Sequence, residues 1–478
     1  MYDAVRFVNS PARLARFDDR VLIEVAEEVL STSSGDIRRT ANPHMERSRI
    51  AQRQPATMHT PDHDASPGHL SRCQISGSSN LELVIDLGHQ PLCDSMLTEP
   101  MLDQPETTYP LRFYVCPESG LGQLDYVVPG EVVYHSDYPY RSGITKELAV
   151  YQGAFAEDVI GKLGIPPGSL CVDIGSNDGT LLAGFKRSGM RALGVEPTNI
   201  ARIAREENGI DTIQSVFDET VAREIAKDCG KAKVVTATNV FAHMASLGEV
   251  VRGIAQLLDD DGVFITESHY LLDVIEKNQF DTVYHEHIRT YSLKSLVTLF
   301  SYYGMEIFHV RRADRYGGNI RAYVARRGSR SVESSVGELL NLEVRSGLFE
   351  PATYVAFRQR VMENREQLMM LAYEARRAGK GFVGNSCPGR CSTLLNYYGM
   401  TRDLMPYLAE QPTSLKLGLY LPGKHIPVVV NDRLIEEQPD YVVLLAWHYA
   451  EPIAQQLRAR GVSSKLVMPL PTVRIIES

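Results

Sequence analysis

The sequence predicts an α/β protein with two doubly wound units, each a sheet of mostly parallel strands with helices on both faces. From Gly164 onward, short runs rich in β-branched residues alternate with segments of helix length, as in strands joined by crossover helices. A long helical segment around Ala352–Arg377 follows, and the same alternation then resumes. A smaller module that carries cysteines precedes both units.

The strands of the first unit are predicted from four apolar runs, and Leu247–Leu258 is one of the helix-length segments between them. The runs are SLCVDIG, RALGVEP, KVVTATN and GVFITES. Two later strand candidates, MEIFHVRR and NIRAYVARR, are expected to complete this sheet near residue 327. The second unit opens with GKGFVGNSCPGRCSTLLNYYG and closes with PDYVVLLAWHY and SKLVMPLP.

The N-terminal part of the chain does not follow this pattern. Phe17–Leu30 has apolar residues at helical spacing and predicts one amphipathic helix, whereas Ser31–Leu70 is polar, lacks periodicity and predicts a linker or disordered extension. A role in docking a partner is the alternative for that extension. We expect the extension at 1–70, the cysteine-bearing module at 71–150, the first α/β unit at 151–330 and the second at 331–478.

Composition narrows the classes of partner. The 478 residues carry a formal net charge of -9, so the chain lacks the basic field that suits nucleic acid, and a small-molecule substrate is expected. No run of 18 apolar residues occurs, and Met1–Arg16 lacks the features of a secretory signal, which predicts a cytoplasmic protein without membrane partners. The seven cysteines are too few, and odd in number, for a disulfide framework.

The segment Val172–Leu182, VDIGSNDGTLL, has the features of a ligand-binding turn. An acidic residue ends a strand, glycines let the backbone approach a ligand, and the following helix offers free N–H groups. The spacing is not G-x-G-x-x-G, which argues against a dinucleotide. Glu196 ends the next strand, 23 residues beyond Asp173, and an acid there can accept hydrogen bonds from both hydroxyls of a ribose.

GSNDGTLL followed by GVEP resembles the class I methyltransferases that use S-adenosylmethionine (SAM). The resemblance implies that the turn surrounds the cofactor, that Glu196 binds its ribose and that Asn239, in TATNVFAHM, ends the fourth strand. The turn residues implied are Asp173, Gly175, Ser176, Asp178 and Gly179. The alternative is an ordinary α/β turn that binds no nucleoside.

Five features together resemble a narrower family, the sugar C-methyltransferases of deoxysugar biosynthesis. They are YRSG, GSNDGTLL, LLDVIEKNQFDTVYHEH with TYS behind it, GGNIRAYVAR, and LYLPGKHIP with VVLLAWHYA. They occur in order over about residues 71–478. This resemblance implies a small zinc-ribbon-like N-terminal module, a class I methyltransferase domain and a second Rossmann-like domain. It also implies a nucleotide-linked 4-keto-6-deoxysugar, methylated on the carbon beside the ketone.

That chemistry explains the polar segment FDTVYHEH. A carbon beside a carbonyl becomes nucleophilic after losing a proton, and histidine has a suitable pKa for a base near neutrality. By the resemblance His287 is the base, Tyr284 and Glu286 position the sugar or the base, and His285 is a weaker candidate. The alternative is that these side chains only cap a helix and satisfy a buried turn.

The acceptor side departs from the family, which suggests an unusual acceptor. Ser268, His269 and Tyr270 replace a Val-Pro-Tyr, and Tyr316–Asn319 replaces a His-Gly-Gly-Ser. The turn Gly384–Arg390 is a candidate cradle for the acceptor's diphosphate, and the alternative is that its lobe only packs on the methyltransferase core. The candidate acceptor contacts are Tyr140, His269, Tyr316, Asn319, Arg321, Arg390, Lys424 and His425.

The family's N-terminal module usually carries two CxxC pairs that hold zinc. Here the pairs read CQIS (Cys73–Ser76) and CPES (Cys116–Ser119), and a serine hydroxyl is a poor zinc ligand. We therefore expect no metal, with His89 and Cys93 as the substitutes to consider. Cys387 and Cys391 are expected to be free buried thiols.

Three competing functions remain beside C-methylation. The same scaffold can methylate oxygen or nitrogen, or act on a non-sugar acceptor, although such O- or N-transfer would not need the YHEH segment. An NAD-dependent oxidoreductase is opposed by the missing G-x-G-x-x-G turn. The third is a nucleotide-sugar binding protein without catalytic activity.

Overall fold

The computed structural model describes residues 65–133, 143 and 146–476. The predicted helix Phe17–Leu30, most of the polar extension and Tyr140 lie outside these residues. The described chain contains three larger sheets, one in each predicted module, and a two-stranded ribbon. One hydrophobic cluster runs through all three sheets and includes Phe113, Phe264 and Val443. Within the described residues, no helix is both long and apolar enough to cross a bilayer.

The N-terminal module is an antiparallel sheet completed by a strand from the middle of the chain. The short strand β11 (Arg289–Thr290) pairs with β4, directly after the YHEH segment. Because of this pairing, the predicted catalytic segment is anchored to the module. The module's own strands are β1 (Gly68–His69), β2 (Glu82–Gln90), β3 (Tyr109–Val115), β4 (Gly122–Leu124) and β5 (Tyr126–Val127), with β1 paired to β5 as the separate ribbon.

The sheet of the predicted methyltransferase unit has seven strands in the order β12-β13-β10-β9-β6-β7-β8. All the strand predictions for this unit are confirmed. The sheet is not wholly parallel, however, because β13 runs antiparallel to both β10 and β12. The strands are β6 (Leu170–Ile174), β7 (Arg191–Val195), β8 (Thr212–Ile213), β9 (Ala232–Thr238), β10 (Leu258–His269), β12 (Met305–Ala313) and β13 (Asn319–Arg326).

The helices before and around this sheet follow local sequence signals. In α6, the predicted Leu247 segment, the buried residues Leu247, Val250, Val251, Ile254 and Leu257 recur at helical spacing. The helices are α1 (Gly130–Val133), α2 (Lys146–Leu163), α3 (Thr180–Arg187), α4 (Ile200–Glu206), α5 (Glu219–Asp228), α6 (Leu247–Leu257), α7 (Leu271–Glu276), α8 (Leu293–Ser301) and α9 (Ser334–Arg345).

The long helix α10 (Pro351–Arg377), predicted as Ala352–Arg377, leads into the C-terminal sheet. That sheet has the order β16-β15-β14-β17-β18-β19, in which β19 alone is antiparallel to its neighbour. Its strands are β14 (Phe382–Asn385), β15 (Leu408–Glu410), β16 (Val428–Val430), β17 (Tyr441–Leu444), β18 (Lys465–Met468) and β19 (Arg474–Ile476). Its helices are α11 (Gly389–Tyr398), α12 (Asp432–Glu437) and α13 (Ala450–Ala459).

Both doubly wound sheets reverse their strand order next to a central strand, β6 in one and β14 in the other. In open α/β sheets, ligands bind at the carboxyl ends of the strands at such reversals. The strand ends at Ile174 and Thr238 and the loops at Gly389 and His448 line one common cavity. The two sheets are therefore arranged to share a ligand site.

Candidate active site

The shared cavity has a volume of about 620 Å³, which is enough for a cofactor and part of a second ligand. All three parts of the described chain line its wall. Asp94 comes from the N-terminal module, Glu196 from the methyltransferase sheet and Arg390 from the C-terminal lobe. Each lobe thus contributes polar groups to one site.

Glu196 lies on the cavity wall at the end of β7, and its carboxylate is held in place by the backbone. Oε1 accepts hydrogen bonds from the Thr198 backbone N–H at 3.0 Å and hydroxyl at 2.7 Å. Oε2 accepts from the Asn177 backbone N–H at 3.0 Å. A carboxylate has about four acceptor sites, so Oε2 can accept one ribose hydroxyl directly, and Oε1 can accept the second when the Thr198 hydroxyl turns away.

The glycine turn approaches the cavity at Gly175. Gly175 has φ +67°, and a Cβ at this position would lie 2.6 Å from Val240 Cγ1, so only glycine is accommodated. Gly175 and Asn177 both line the cavity. Asn239, on the facing loop after β9, also lines it and has a positive φ of 55°.

Four predicted cofactor residues do not line this cavity, and their role in binding the cofactor stays a prediction. Asp173 is buried within the sheet, where it accepts a hydrogen bond from Thr236 Oγ1 at 2.6 Å, and burial raises the pKa of its carboxyl to about 7. Asp178 accepts hydrogen bonds from the Thr180 hydroxyl at 2.6 Å and from the Gly143 N–H at 2.8 Å. Both carboxylates therefore have partners within the protein. The four are Asp173, Ser176, Asp178 and Gly179.

The segment after β8 contributes cavity residues that sequence reasoning missed. Val216 and Phe217 offer apolar surface, and the Asp218 carboxylate caps α5 by accepting the Val221 N–H at 2.7 Å. The sequence signal that could have identified them is Phe217 followed by Asp218, an aromatic residue and an acid directly before a helix. This wall can pack against a flat base and accept a hydrogen bond from it.

The predicted catalytic segment begins with a single 3₁₀ turn at Phe280–Thr282. His287 Nδ1 lies 2.9 Å from the Thr282 carbonyl oxygen, which can only accept, so Nδ1 carries the proton. His287 Nε2 therefore bears a lone pair, and the Tyr284 hydroxyl donates to it at 2.7 Å. The hydrogen bond to the Thr282 carbonyl therefore makes Nε2 the basic nitrogen of the His287 ring.

Two further histidines surround this ring. The His243 and His269 rings lie 4.8 and 4.9 Å from that of His287, measured between centroids. Burial lowers the pKa of His243 to about 4 and of His269 to about 3, and it lowers the pKa of His287 well below its usual value. All three rings are neutral near pH 7. His243 was not predicted, although it lies in the TATNVFAHM segment.

Glu286 and His285 point to different surroundings. Glu286 lines the cavity, and the Cys93 thiol donates to its Oε1 at 3.6 Å. His285 instead contacts the N-terminal module, with Nε2 3.2 Å from the Pro110 carbonyl oxygen. His285 is not among the cavity residues, so the structure places this weaker base candidate away from the cavity.

The predicted acceptor contacts are only partly brought together. His269, Tyr316 and Arg390 line the cavity, and His448, which was not predicted, lies beside them. Asn319 and Arg321 lie behind the wall: Arg321 is fully buried and its Nε donates to Glu267 at 2.6 Å.

Lys424 and His425 lie in a turn that faces the N-terminal module instead. The His425 Nε2 is 3.2 Å from Glu106 Oε2, and neither residue lines the cavity. The structure therefore does not bring these two residues, or Asn319 and Arg321, to the cavity wall, and their role as acceptor contacts stays a prediction. Long-range packing rather than local sequence decides these positions.

The predicted diphosphate cradle at Gly384–Arg390 is already occupied by acids. The Cys387 N–H donates to Glu410 at 2.7 Å, and a Cβ on Gly389 would lie 2.7 Å from an Asp94 carboxylate oxygen. Lys416 pairs with Asp94 at 2.6 Å. The acids that already occupy the turn disfavour a bound polyanion, and the cradle stays a prediction.

Sequence comparison places these features in a family. The chain is 32% identical over 412 residues to the C-methyltransferase NovU of Streptomyces niveus, covering 86% of this chain and 97% of NovU. The chain belongs to the SAM-dependent C-methyltransferase family. Three family descriptions match successive parts of this C-methyltransferase. They are "Putative zinc binding domain" at residues 73–134, "Methyltransferase domain" at 150–310 and "C-methyltransferase C-terminal domain" at 314–471.

Solved structures resemble a little over a third of the C-methyltransferase. Magnesium protoporphyrin IX methyltransferase from Synechocystis, solved with bound SAH, is 16% identical and covers 37% of this chain and 84% of its own, with a TM-score of 0.29. A SAM-dependent methyltransferase from Clostridium acetobutylicum is 11% identical and covers 38% of this chain and 92% of its own, with a TM-score of 0.30.

The cavity residues of this C-methyltransferase fit SAM. Glu196 offers two carboxylate oxygens for a ribose, and Phe217 with Asp218 offers an apolar face and an acceptor for the base. Gly175 leaves room where any side chain would collide with Val240. SAM is therefore the cofactor, and these residues would hold it.

The residues of the N-terminal module do not fit a structural zinc ion. The two turns face each other, with Cys73 Sγ 3.1 Å from Ser119 Oγ and Ser76 Oγ 3.5 Å from Cys116 Sγ. Only two of the four groups are thiols, and His89 is exposed on β2. Among the described residues, the one group able to offer three metal ligands is Cys93, Asp94 and Glu286.

We expect Glu196→Ala to weaken SAM binding at least tenfold. Each charge-assisted hydrogen bond to a ribose hydroxyl contributes about 1.5–3 kcal/mol, and the variant loses the carboxylate. Calorimetric titration of the purified protein with SAM measures the change. Glu206→Ala, an exposed residue of α4 in a surface pair with Arg202, is the control and should leave affinity unchanged. Unchanged affinity in Glu196→Ala would remove this residue from the site.

We expect protein purified without added zinc to contain much less than one zinc per chain. The Ser76→Cys, Ser119→Cys double variant should bind one zinc ion, because it places four thiolates at these positions. A tetrahedral site with Zn–S bonds near 2.3 Å needs sulfur–sulfur distances of about 3.8 Å, and the distances between the present side chains are close to that value. Elemental analysis of both proteins measures the difference. A stoichiometric, chelator-resistant zinc in the unmodified chain would contradict the prediction.

Proposed function

We propose that the enzyme methylates the carbon beside the ketone of a nucleotide-linked keto-deoxysugar, and that His287 removes the proton from that carbon. The observation that carries the proposal is the neutral His287 ring, whose Nδ1 is held by a backbone carbonyl at 2.9 Å, on the wall of the cofactor cavity. With Nδ1 protonated, Nε2 is the nitrogen that can accept the proton of the substrate carbon.

Proton transfer to Nε2 creates an imidazolium whose charge the surroundings must stabilise. The Thr282 carbonyl accepts from Nδ1–H both before and after transfer, so the ring keeps its orientation. Glu286, the preceding residue, also faces the cavity and can offset the positive charge. Its proposed role is therefore to orient and stabilise rather than to take the proton.

Tyr284 supplies a hydroxyl that stays protonated. Burial raises the pKa of Tyr284 well above its usual value, so the phenol can donate to Nε2 or to a developing enolate oxygen. The phenol donates to Nε2 at 2.7 Å. The substrate proton reaches the ring either after the phenol turns away or through the phenol oxygen.

SAM, when bound, supplies the electrophilic methyl group for the carbon nucleophile. The chain's own task is to hold both ligands and exclude water. His269 and Tyr316 both line the cavity, with ring centroids 6.0 Å apart, and form a surface against which a sugar ring can pack.

The C-terminal lobe is proposed to bind the acceptor because its strand reversal opens on the same cavity. The resemblance to sugar C-methyltransferases supports a nucleotide-linked sugar. The replacements at His269 and Tyr316 favour a second candidate, an enolisable ketone that is not a sugar, on the same site.

We expect wild-type enzyme in deuterated water to exchange the hydrogen beside the ketone of its acceptor, because an enolate can form and return before methyl transfer. His287→Asn should lose exchange and methylation by ~10²- to 10⁴-fold, the usual contribution of a general base. A panel of nucleotide-linked 4-ketosugars, followed by NMR and mass spectrometry, provides the measurement.

The experiment has two controls. The Glu286→Gln variant should reduce the rates of exchange and methylation less than His287→Asn does. The His287→Asn variant should bind SAM like the wild type. Near-normal exchange in His287→Asn would place the base elsewhere. Exchange and methylation only with non-sugar ketones would favour the second candidate.

We expect the methylation rate to show no decline as the pH falls from 8 to 6.5. The base must be neutral, and burial lowers the pKa of His287 well below the ordinary 6.5, so protonation begins only at lower pH. Initial rates with saturating ligands across this range measure the profile. An acidic limb centred at or above pH 6.5 would exclude a buried neutral histidine as the base.

A further inference from the structure

Arg390, at the start of α11, makes a two-bond ion pair with Asp281 in the 3₁₀ turn before the catalytic segment. Nε donates to Asp281 Oδ2 at 2.8 Å and Nη2 donates to Oδ1 at 2.7 Å. Asp281 is fully buried and Arg390 is nearly so. Such a pair is strongly directional, because both partners are planar and both carboxylate oxygens are engaged.

The surroundings of this pair come from both lobes. Trp447 Nε1 donates to Asp281 Oδ2 at 2.8 Å, and its ring lies 4.9 Å from the Arg390 guanidinium carbon. Arg390 Nη1 also donates to the Tyr316 carbonyl oxygen at 3.1 Å, and Nη2 to Gln279 Oε1 at 3.3 Å. The donors of Arg390 are thus directed at the protein itself, although its side chain borders the cavity.

One face of α11 holds the chain on both sides of Thr282. Arg390 and Thr393, three residues apart, lie on the same face of the helix. Arg390 binds Asp281, and the Thr393 hydroxyl donates to the Val283 carbonyl oxygen at 3.3 Å. Thr282 lies between these two contacts, and its carbonyl holds His287 Nδ1 at 2.9 Å. The helix therefore fixes the peptide that determines the tautomer of His287.

We propose that Arg390 is a positioning residue for His287, acting through Asp281 and the Thr282 carbonyl, and is not a ligand of the acceptor's phosphates. The proposal makes the C-terminal lobe part of the proton-transfer apparatus. Its effect on activity rests on the proposed role of His287, whereas its effect on the tautomer does not.

The charge of Arg390 also reaches the histidines. The titratable and charged groups around the His287 ring are Tyr284 and Glu286 on its own segment, His243 and His269 from the methyltransferase sheet, and Arg390 and His448 from the C-terminal lobe. Burial is the main cause of the low pKa of His269, and Arg390 lowers it further. Asp281 offsets part of this positive charge.

The test is NMR of full-length protein labelled with ¹⁵N-histidine, which reports the protonated nitrogen of each ring without any acceptor. His287→Asn identifies the His287 signal. In the wild type this signal should show the Nδ1–H tautomer. Arg390→Gln should convert it to a mixture with the Nε2–H tautomer, because the Thr282 peptide is released. An unchanged tautomer in folded Arg390→Gln would overturn the proposal.

Two variants of the pair should shift histidine titration in opposite directions. Arg390→Gln removes a positive neighbour, so the titration midpoints of His269 and His287 should rise. Asp281→Asn leaves Arg390 uncompensated, so the same midpoints should fall or move out of range. Loss of packing alone would expose the rings and raise both midpoints in both variants, which would contradict the proposal.

Arg312→Gln is the matched control. Arg312 also holds a buried acid with two bonds, Nε to Asp273 Oδ2 at 3.3 Å and Nη2 to Oδ1 at 2.5 Å, but it does not line the cavity. The Arg312→Gln variant should lower the free energy of unfolding while leaving the His287 tautomer unchanged. A tautomer change in this control would show a general response to lost ion pairs and would overturn the proposal.

Kinetics with an acceptor from the 4-ketosugar panel separates positioning from phosphate binding. Positioning predicts that Arg390→Gln lowers kcat by roughly 10²-fold with a small change in KM, and that Asp281→Asn also lowers kcat. A phosphate ligand would raise KM in Arg390→Gln alone and leave the NMR signal of His287 unchanged. Failure to find a sugar acceptor would count against the proposed function, while the NMR result would still decide the role of Arg390.

Discussion

The hydrogen bond between His287 Nδ1 and the Thr282 carbonyl is the constraint on which the rest of the site depends. A buried imidazole can carry its proton on either nitrogen, and only the Nδ1–H form has a free basic atom at Nε2. The carbonyl selects that form at 2.9 Å. Burial then keeps the ring neutral, so orientation and protonation state are set by the fold before any ligand binds.

Holding one peptide in place requires contacts from all parts of the described chain. The strand β11, which follows the catalytic segment, pairs with β4 of the N-terminal module. The helix α11 of the C-terminal lobe contacts the segment at Asp281 and Val283. The segment is therefore fixed at both ends, and the methyltransferase sheet supplies other residues of the same cavity wall. A single Rossmann-like domain offers no equivalent of these two anchors.

This arrangement explains why the N-terminal module persists although its residues do not fit zinc. Its sheet includes the strand that follows the YHEH segment, and its Cys93 and Asp94 lie against Glu286. The turns Cys73–Ser76 and Cys116–Ser119 join two thiols and two hydroxyls, with Cys73 and Cys116 both buried. Buried apolar packing and these polar contacts can hold the turns together, so the module keeps its structural role.

The sequence by itself determined the features that depend on local patterns. Alternating β-branched runs identified the strands, Gly175 marked the close approach of the turn, and Glu196 lay at a strand end where an acid faces the cofactor. These follow from short-range sterics and from the common edge at which parallel strands end. The YHEH segment was recognised because polar side chains of this kind are concentrated in so few positions.

Only the tertiary structure decided which of those polar residues face the cavity. Asp173, Arg321 and His285 carry suitable groups, yet each is used inside the protein, by Thr236, Glu267 and the Pro110 carbonyl. Conversely, His243, Asp218 and Asp94 reach the cavity from segments far apart in the chain. The partner of Arg390 is Asp281, 109 residues away. Such pairings depend on how the lobes pack, and a local pattern does not encode whether a charge will meet a ligand or another side chain.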